Sequence, residues 1–151
     1  MAALLKHYAD DPSLLVLALP RGGVPVAYEV ARALHAPLDV FVVRKLGVPG
    51  HRELAMGAIA TGGVRVLNLE AIDALHVPPA AIEAVAAAEL RELERQQRAY
   101  RGDRAFPDLT GRTVIVVDDG LATGSSMRAA VRALGAGHPW RIVVAAPVAA
   151  A

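Results

Sequence analysis

Short apolar runs alternating with amphipathic stretches set the rhythm of this chain. Leu14 to Leu19 is unbroken apolar sequence ending in Pro20-Arg21-Gly22-Gly23, which predicts a strand buried on both faces and then a tight turn. Val24 to His35 switches to helical spacing, with Val26, Val30, Ala33 and Leu34 in phase and Pro25 near the first helical position. Asp39 to Val43 predicts a second buried strand, leading through Arg44-Lys45 into a loop over 46–56 that holds Gly47, Pro49 and Gly50. Gly57 to Leu67, interrupted by Gly62-Gly63, predicts a hairpin. Ala80 to Arg101 predicts a long helix: Ile82, Ala86, Leu90, Leu93, Gln97 and Tyr100 share one face, and Glu/Arg pairs cover the other. Pro107 and Gly111 introduce a strand over 113–117; a helix over Ser125 to Leu134 and an apolar strand over Arg141 to Val148 follow. Residues 1–13 predict a short helix and a turn at Asp10-Asp11-Pro12.

Strands alternating with helices predict an α/β fold: a mostly parallel twisted sheet flanked by helices on both faces, with a small hairpin and flexible-loop insertion. Ligands of such sheets bind outside the carboxyl ends of the strands. Segments 20–23, 44–50 and 118–126 are all expected at that edge.

Composition narrows the function classes. The 151 residues fit one domain. Hydrophobic residues make up 54%, yet no run approaches the ~18 residues that span a bilayer, so no membrane partner is expected. The start, Met1 to His7, lacks the charged and long apolar regions of a signal peptide, and a cytoplasmic location is expected. The absence of cysteine excludes disulfides, thiolate nucleophiles and cysteine-ligated zinc. A net charge of +1 and 4% aromatic residues argue against nucleic acid. His7, His35, His76 and His138 show no metal-ligand spacing. Arg91, Arg95, Arg98 and Arg101 are balanced by Glu83, Glu89, Glu92 and Glu94, which predicts a solvated, salt-bridged helical face.

The chemistry concentrates between Val114 and Ser126. Four apolar residues are followed by Asp118-Asp119, then Gly120-Leu121-Ala122, and Thr123-Gly124-Ser125-Ser126 opens a helix. A small-residue turn into a helix N-terminus is an anion site. Adjacent carboxylates would repel an anion, unless the ligand carries phosphate at one end and hydroxyls plus a cation at the other. A ribose phosphate with magnesium has that form. No lysine follows the second glycine, which excludes a Walker loop, and the Gly-x-Gly-x-x-Gly spacing is absent as well.

This pattern strongly resembles the phosphoribosyl-pyrophosphate motif of type I phosphoribosyltransferases. The resemblance implies that Asp118 and Asp119 hold the ribose hydroxyls and organise hydrated Mg2+ without direct ligation. It implies a 5′-phosphate cradle of Leu121, Ala122, Thr123, Gly124, Ser125 and Ser126. Pro20-Arg21-Gly22-Gly23-Val24 resembles the family's pyrophosphate loop, which often contains a non-proline cis peptide, so Arg21, Gly22 and Gly23 are implied pyrophosphate contacts. Val43-Arg44-Lys45 resembles the entry to the family's flexible catalytic loop, with Arg44 and Lys45 countering the leaving group's charge. His51, Arg52 and Glu53 lie in that loop, either touching substrate or solvated.

The implied activity is Mg2+-dependent transfer of the 5-phosphoribosyl group from phosphoribosyl pyrophosphate to a nitrogenous base. The alternative is a non-catalytic regulatory or docking domain that binds the same ligand. Ala122 stands where many 6-oxopurine-type members carry an aspartate, which argues against hypoxanthine, guanine and xanthine as acceptors. Similar proteins are commonly homodimers, and small stand-alone relatives usually continue beyond the Arg141–Val148 strand. The expectation is therefore a single domain over 1–151, truncated at its C-terminus or part of a larger fused protein.

Overall fold

A computed structural model describes residues 1–149; of Arg52 and Glu53 it describes the backbone. The chain forms two compact units, Val42–Phe106 and the remainder on either side of it.

The first unit is built on a four-stranded parallel sheet. A 3-10 segment, Ala2–Tyr8, precedes β1 (Leu14–Ala18). Helix α1 (Gly23–Leu34) leads to β2 (Leu38–Val40). The elements of the second unit, described below, intervene before β6 (Thr113–Val117), α4 (Ser125–Gly135) and β7 (Arg141–Ala145). The strand order is β2-β1-β6-β7, with Ala18 opposite Val117 and Val117 opposite Ala145. Every residue of β1 and β6 is buried. In a strand that is only possible when both faces are covered, which is why these segments read as continuous apolar runs. One face packs Leu14, Val16, Ala18, Ile115 and Val117 against Ala27, Val30, Ala31 and Leu34 of α1. Burying a Val or Leu side chain contributes roughly 1.5–3 kcal/mol, so β1 and β6 form the most resistant part of this unit.

The second unit carries an antiparallel sheet: β3 (Val43–Val48), β4 (His51–Ala60) and β5 (Val64–Leu67), in that order. Helices α2 (Leu69–Ala74) and α3 (Pro79–Arg101) follow. The Asn68 side chain caps α2 by accepting from Ala71 N. Helix α3 packs on β3 and β4, burying Ile82, Ala86 and Leu93, and the ion pairs Arg44–Glu89 and Arg65–Glu83 tie it to the sheet.

Three expectations need correction. The parallel strand ends at Val40, not Val43. Phe41 N still donates to Ala18 O, but Val42 N turns to the hydroxyl of buried Thr61, and a new sheet begins. Residues 46–56 are not a loop but most of a hairpin that turns at Pro49-Gly50, where Gly50 takes φ +78°. Segment 44–50 therefore lies in the antiparallel sheet. On α3, Tyr100 is exposed and Arg101 is buried instead, stacked over Phe106 at 5.2 Å and donating to Ala105 O. The hairpin over Gly57–Leu67 is present, with Gly62 and Gly63 at positive φ in its turn.

Candidate functional site

The carboxyl end of β6 is where the chemistry-bearing residues of the first unit gather. Leu19 N donates to Val117 O at 2.9 Å, extending the β1–β6 ladder up to the Pro20–Gly23 turn. The Pro20–Arg21 peptide is cis. Gly22 is the N-cap of α1 and Gly23 its first residue. Both glycines answer to close approach. A Cβ on Gly23 would lie 2.6 Å from Val117 O and 3.1 Å from Asp118 Cα. One on Gly22 would land on the Asp119 carboxylate. The first turn and the acid pair are thus in van der Waals contact, although roughly a hundred residues of sequence separate them.

The two acids differ. Asp118 N donates to Ala145 O at 3.1 Å, and Asp118 Oδ1 accepts from Asp119 N at 2.9 Å, folding that side chain over the next residue's amide. Partial burial holds the Asp118 carboxyl above the ordinary carboxylate range, and the neighbouring Asp119 carboxylate pushes the same way. Asp119 is exposed beside Gly22.

Beyond the acids, Leu121 N donates to Val148 O at 3.0 Å and Leu121 pairs in parallel with Ala149. Gly124 takes φ +69° as the N-cap of α4, a left-handed conformation that glycine adopts without steric cost. It brings no side chain, so the positive end of α4 is left without a side-chain cap. Thr123 Oγ1 accepts from Ser125 N at 3.3 Å and lies 2.9 Å from Ser125 Oγ. Ala122, Thr123, Ser125 and Ser126 are exposed, and Leu121 and Gly124 partly so. Hydroxyls and helix amides here face solvent, an arrangement suited to an oxyanion.

Arg44 and Lys45 stand in the second unit, on β3 opposite Ile59 and Ala58. Arg44 Nε donates to Glu89 Oε2 on α3 at 2.5 Å. Lys45 is exposed, as is His51, while the side chains of Arg52 and Glu53 lie outside the described residues. Sequence reasoning missed Glu89 as a partner, since nothing local connects a β3 arginine to a glutamate 45 residues on.

A family model for the phosphoribosyl transferase domain matches residues 1–151. Two strains of Mycobacterium tuberculosis carry a protein provisionally named a phosphoribosyl transferase that is 50% identical over 136 residues. That match covers 90% of this chain but only 31% of the relative. Among solved structures, TT1426 of Thermus thermophilus is similar at TM-score 0.82 and 43% identity, over 98% of this chain and 72% of that one. The purine phosphoribosyltransferase of Pyrococcus horikoshii shares the fold at TM-score 0.57 and 18% identity, over 98% of this chain and 68% of that one. A hypoxanthine-guanine phosphoribosyltransferase of Bacillus anthracis does so at 0.55 and 13%, over 99% and 64%. The α/β architecture is that of type I phosphoribosyltransferases, and the chain belongs to the phosphoribosyl transferase domain family.

Proposed function

We propose that this chain binds phosphoribosyl pyrophosphate and transfers its 5-phosphoribosyl group to a nitrogenous base, releasing pyrophosphate. The observation that carries this reading is the end of β6. There, two carboxylates stand between an uncapped, hydroxyl-rich helix start and a glycine turn that touches Asp119. Asp118 and Asp119 would accept from the ribose 2′- and 3′-hydroxyls and favour positive charge on the sugar as the bond at C1 breaks. The turn from Leu121 to Ser126 would hold the 5′-phosphate through backbone amides and the hydroxyls of Thr123, Ser125 and Ser126. Arg21, Gly22 and Gly23 are the proposed pyrophosphate turn, and Arg44 and Lys45 the proposed counter-charges to the leaving group. No covalent intermediate is needed; the protein orients two reactants and stabilises charge.

The donor set also bears on magnesium. Among the described residues no group of three or more His, Cys, Asp or Glu could hold a metal. Two carboxylates at a strand end fit a hydrated Mg2+ completed by water and substrate oxygens, with Asp118 and Asp119 outer-sphere. When bound, the ion supplies neutralisation of the diphosphate charge.

Calorimetry with phosphoribosyl pyrophosphate and Mg2+, then pyrophosphate release across purines, pyrimidines, orotate and nicotinate, tests the reading. The Asp118→Asn/Asp119→Asn variant is expected to retain its circular dichroism spectrum and lose about 100-fold or more in turnover. Unchanged turnover, or no donor uptake by the wild type, refutes it. Uptake without release against any base would favour a regulatory or docking domain.

A further inference from the structure

We propose that Glu89 on α3 is a positioning residue that sets Arg44 to receive an oxyanion at the second unit's cavity. The inference rests on the role of Arg44 proposed above. A guanidinium presents two usable edges, one through Nε and one through its Nη pair. Glu89 Oε2 takes Nε at 2.5 Å. Both side chains are less than a third exposed, 29% for Arg44 and 27% for Glu89, so this is not a loose surface pair. Among the described residues, Glu89 is the only side chain that accepts from the Arg44 guanidinium. The Nη pair is therefore the edge left for a bidentate acceptor, and fork-on-phosphate geometry is what it matches.

The surroundings agree. Arg44 and Glu89 line a cavity of about 590 Å3 together with Lys45, Val48, Val85 and Ala88. The Glu92 carboxylate of α3 also lies within electrostatic reach of Arg44. Val48, Val85 and Ala88 give part of the lining apolar walls, beside which a charge interaction is stronger than in open solvent. Glu89 has two opposing effects on an incoming anion: it neutralises part of the charge on Arg44, and it holds a long, flexible side chain in one orientation. Bidentate capture depends on orientation, so the second effect governs.

The two effects have opposite signs in a binding experiment. Inorganic diphosphate with Mg2+ is titrated calorimetrically into the wild type, Glu89→Ala, Glu89→Gln, Arg44→Ala and the Arg44→Ala/Glu89→Ala double variant. The expected result is a loss of fivefold or more for Glu89→Ala and a smaller loss for Glu89→Gln, which keeps an acceptor for Nε. Glu89→Ala adds no further loss once Arg44 is alanine. In turnover, KM for the donor rises more than kcat falls. Unchanged or tighter binding in either Glu89 variant, or an equal loss in the Arg44→Ala background, overturns the proposal while leaving the proposed function standing. A wild type that takes up no diphosphate overturns both. Glu89→Gln, nearly isosteric, keeps the test decisive if Glu89→Ala proves unfolded.

Discussion

Gly23→Ala is the substitution on which the geometry at the end of β6 can be judged. The added methyl would sit 2.6 Å from Val117 O, 3.1 Å from Asp118 Cα and 3.3 Å from Val117 C. All three atoms are backbone of the central strand and its exit, so no rotamer change relieves the contact. Either α1 lifts off the sheet, opening the packing of Ala27, Val30 and Leu34 against Val16 and Val117, or the strand end shifts. Overpacking of this kind costs about 1–3 kcal/mol. Against it stands the helical preference for alanine over glycine, about 0.5–1 kcal/mol, since Gly23 lies inside α1 and not at positive φ. The clash is the larger, and a net loss of about 1–2 kcal/mol follows. For a chain of this size that lowers Tm by roughly 2–8 °C. Urea unfolding at constant m-value, alongside a thermal scan, measures it. Gly135→Ala is the control: it too is helical, and a Cβ there meets nothing within 4 Å. Its stability should rise by up to about 1 kcal/mol. A Gly23→Ala protein as stable as wild type, or stabilised like Gly135→Ala, would refute the claim that the α1 start and the β6 exit are in contact.

Gly22→Ala meets the end of an exposed Asp119 side chain and not backbone, so stability should fall by less than about 1 kcal/mol while donor affinity, read by calorimetry, drops about tenfold as the carboxylate is displaced. Burial raises the Asp118 carboxyl above its ordinary value, so the folded state holds that proton more tightly and stability falls as pH rises from about 4 through the raised value. Asp118→Asn should remove this slope, leaving the variant more stable than wild type at neutral pH but not at pH 3; equal pH profiles in denaturant titrations would contradict it. Thr61→Val removes the acceptor of the Val42 N–H at a buried site and should cost about 1–3 kcal/mol, whereas Thr61→Ser should lose less, as equilibrium unfolding will tell.

Much of the first unit was legible in the sequence for a simple physical reason. A strand buried on both faces must be apolar at every position, and β1 and β6 are. The order of acids, glycine turn and hydroxyls after β6 is equally local, and it is the pattern on which the proposed sugar-phosphate chemistry rests. The second unit was harder to read. His51, Leu54 and Ala55 of β4 are exposed, so they lack the alternation that marks a half-buried strand, and Pro49-Gly50 reads as part of a loop when it is a hairpin turn. Arg101 defeats the rule that arginine stays outside, because a π-face and a carbonyl receive it. The Glu89–Arg44 pair is a tertiary contact with no local signature, and so is the seat of Asp119 on Gly22.

The bridge from Leu121 to Val148 and Ala149 has a bearing on how the molecule assembles. The hydroxyl-rich turn takes its register from chain made after it, beyond both α4 and β7. A nascent or refolding chain can complete β1, α1 and β6 early, yet this turn stays unanchored until the downstream segment docks alongside. Hydrogen-exchange pulses during refolding should therefore find the Leu121 amide protected later than those of Val114 to Val117.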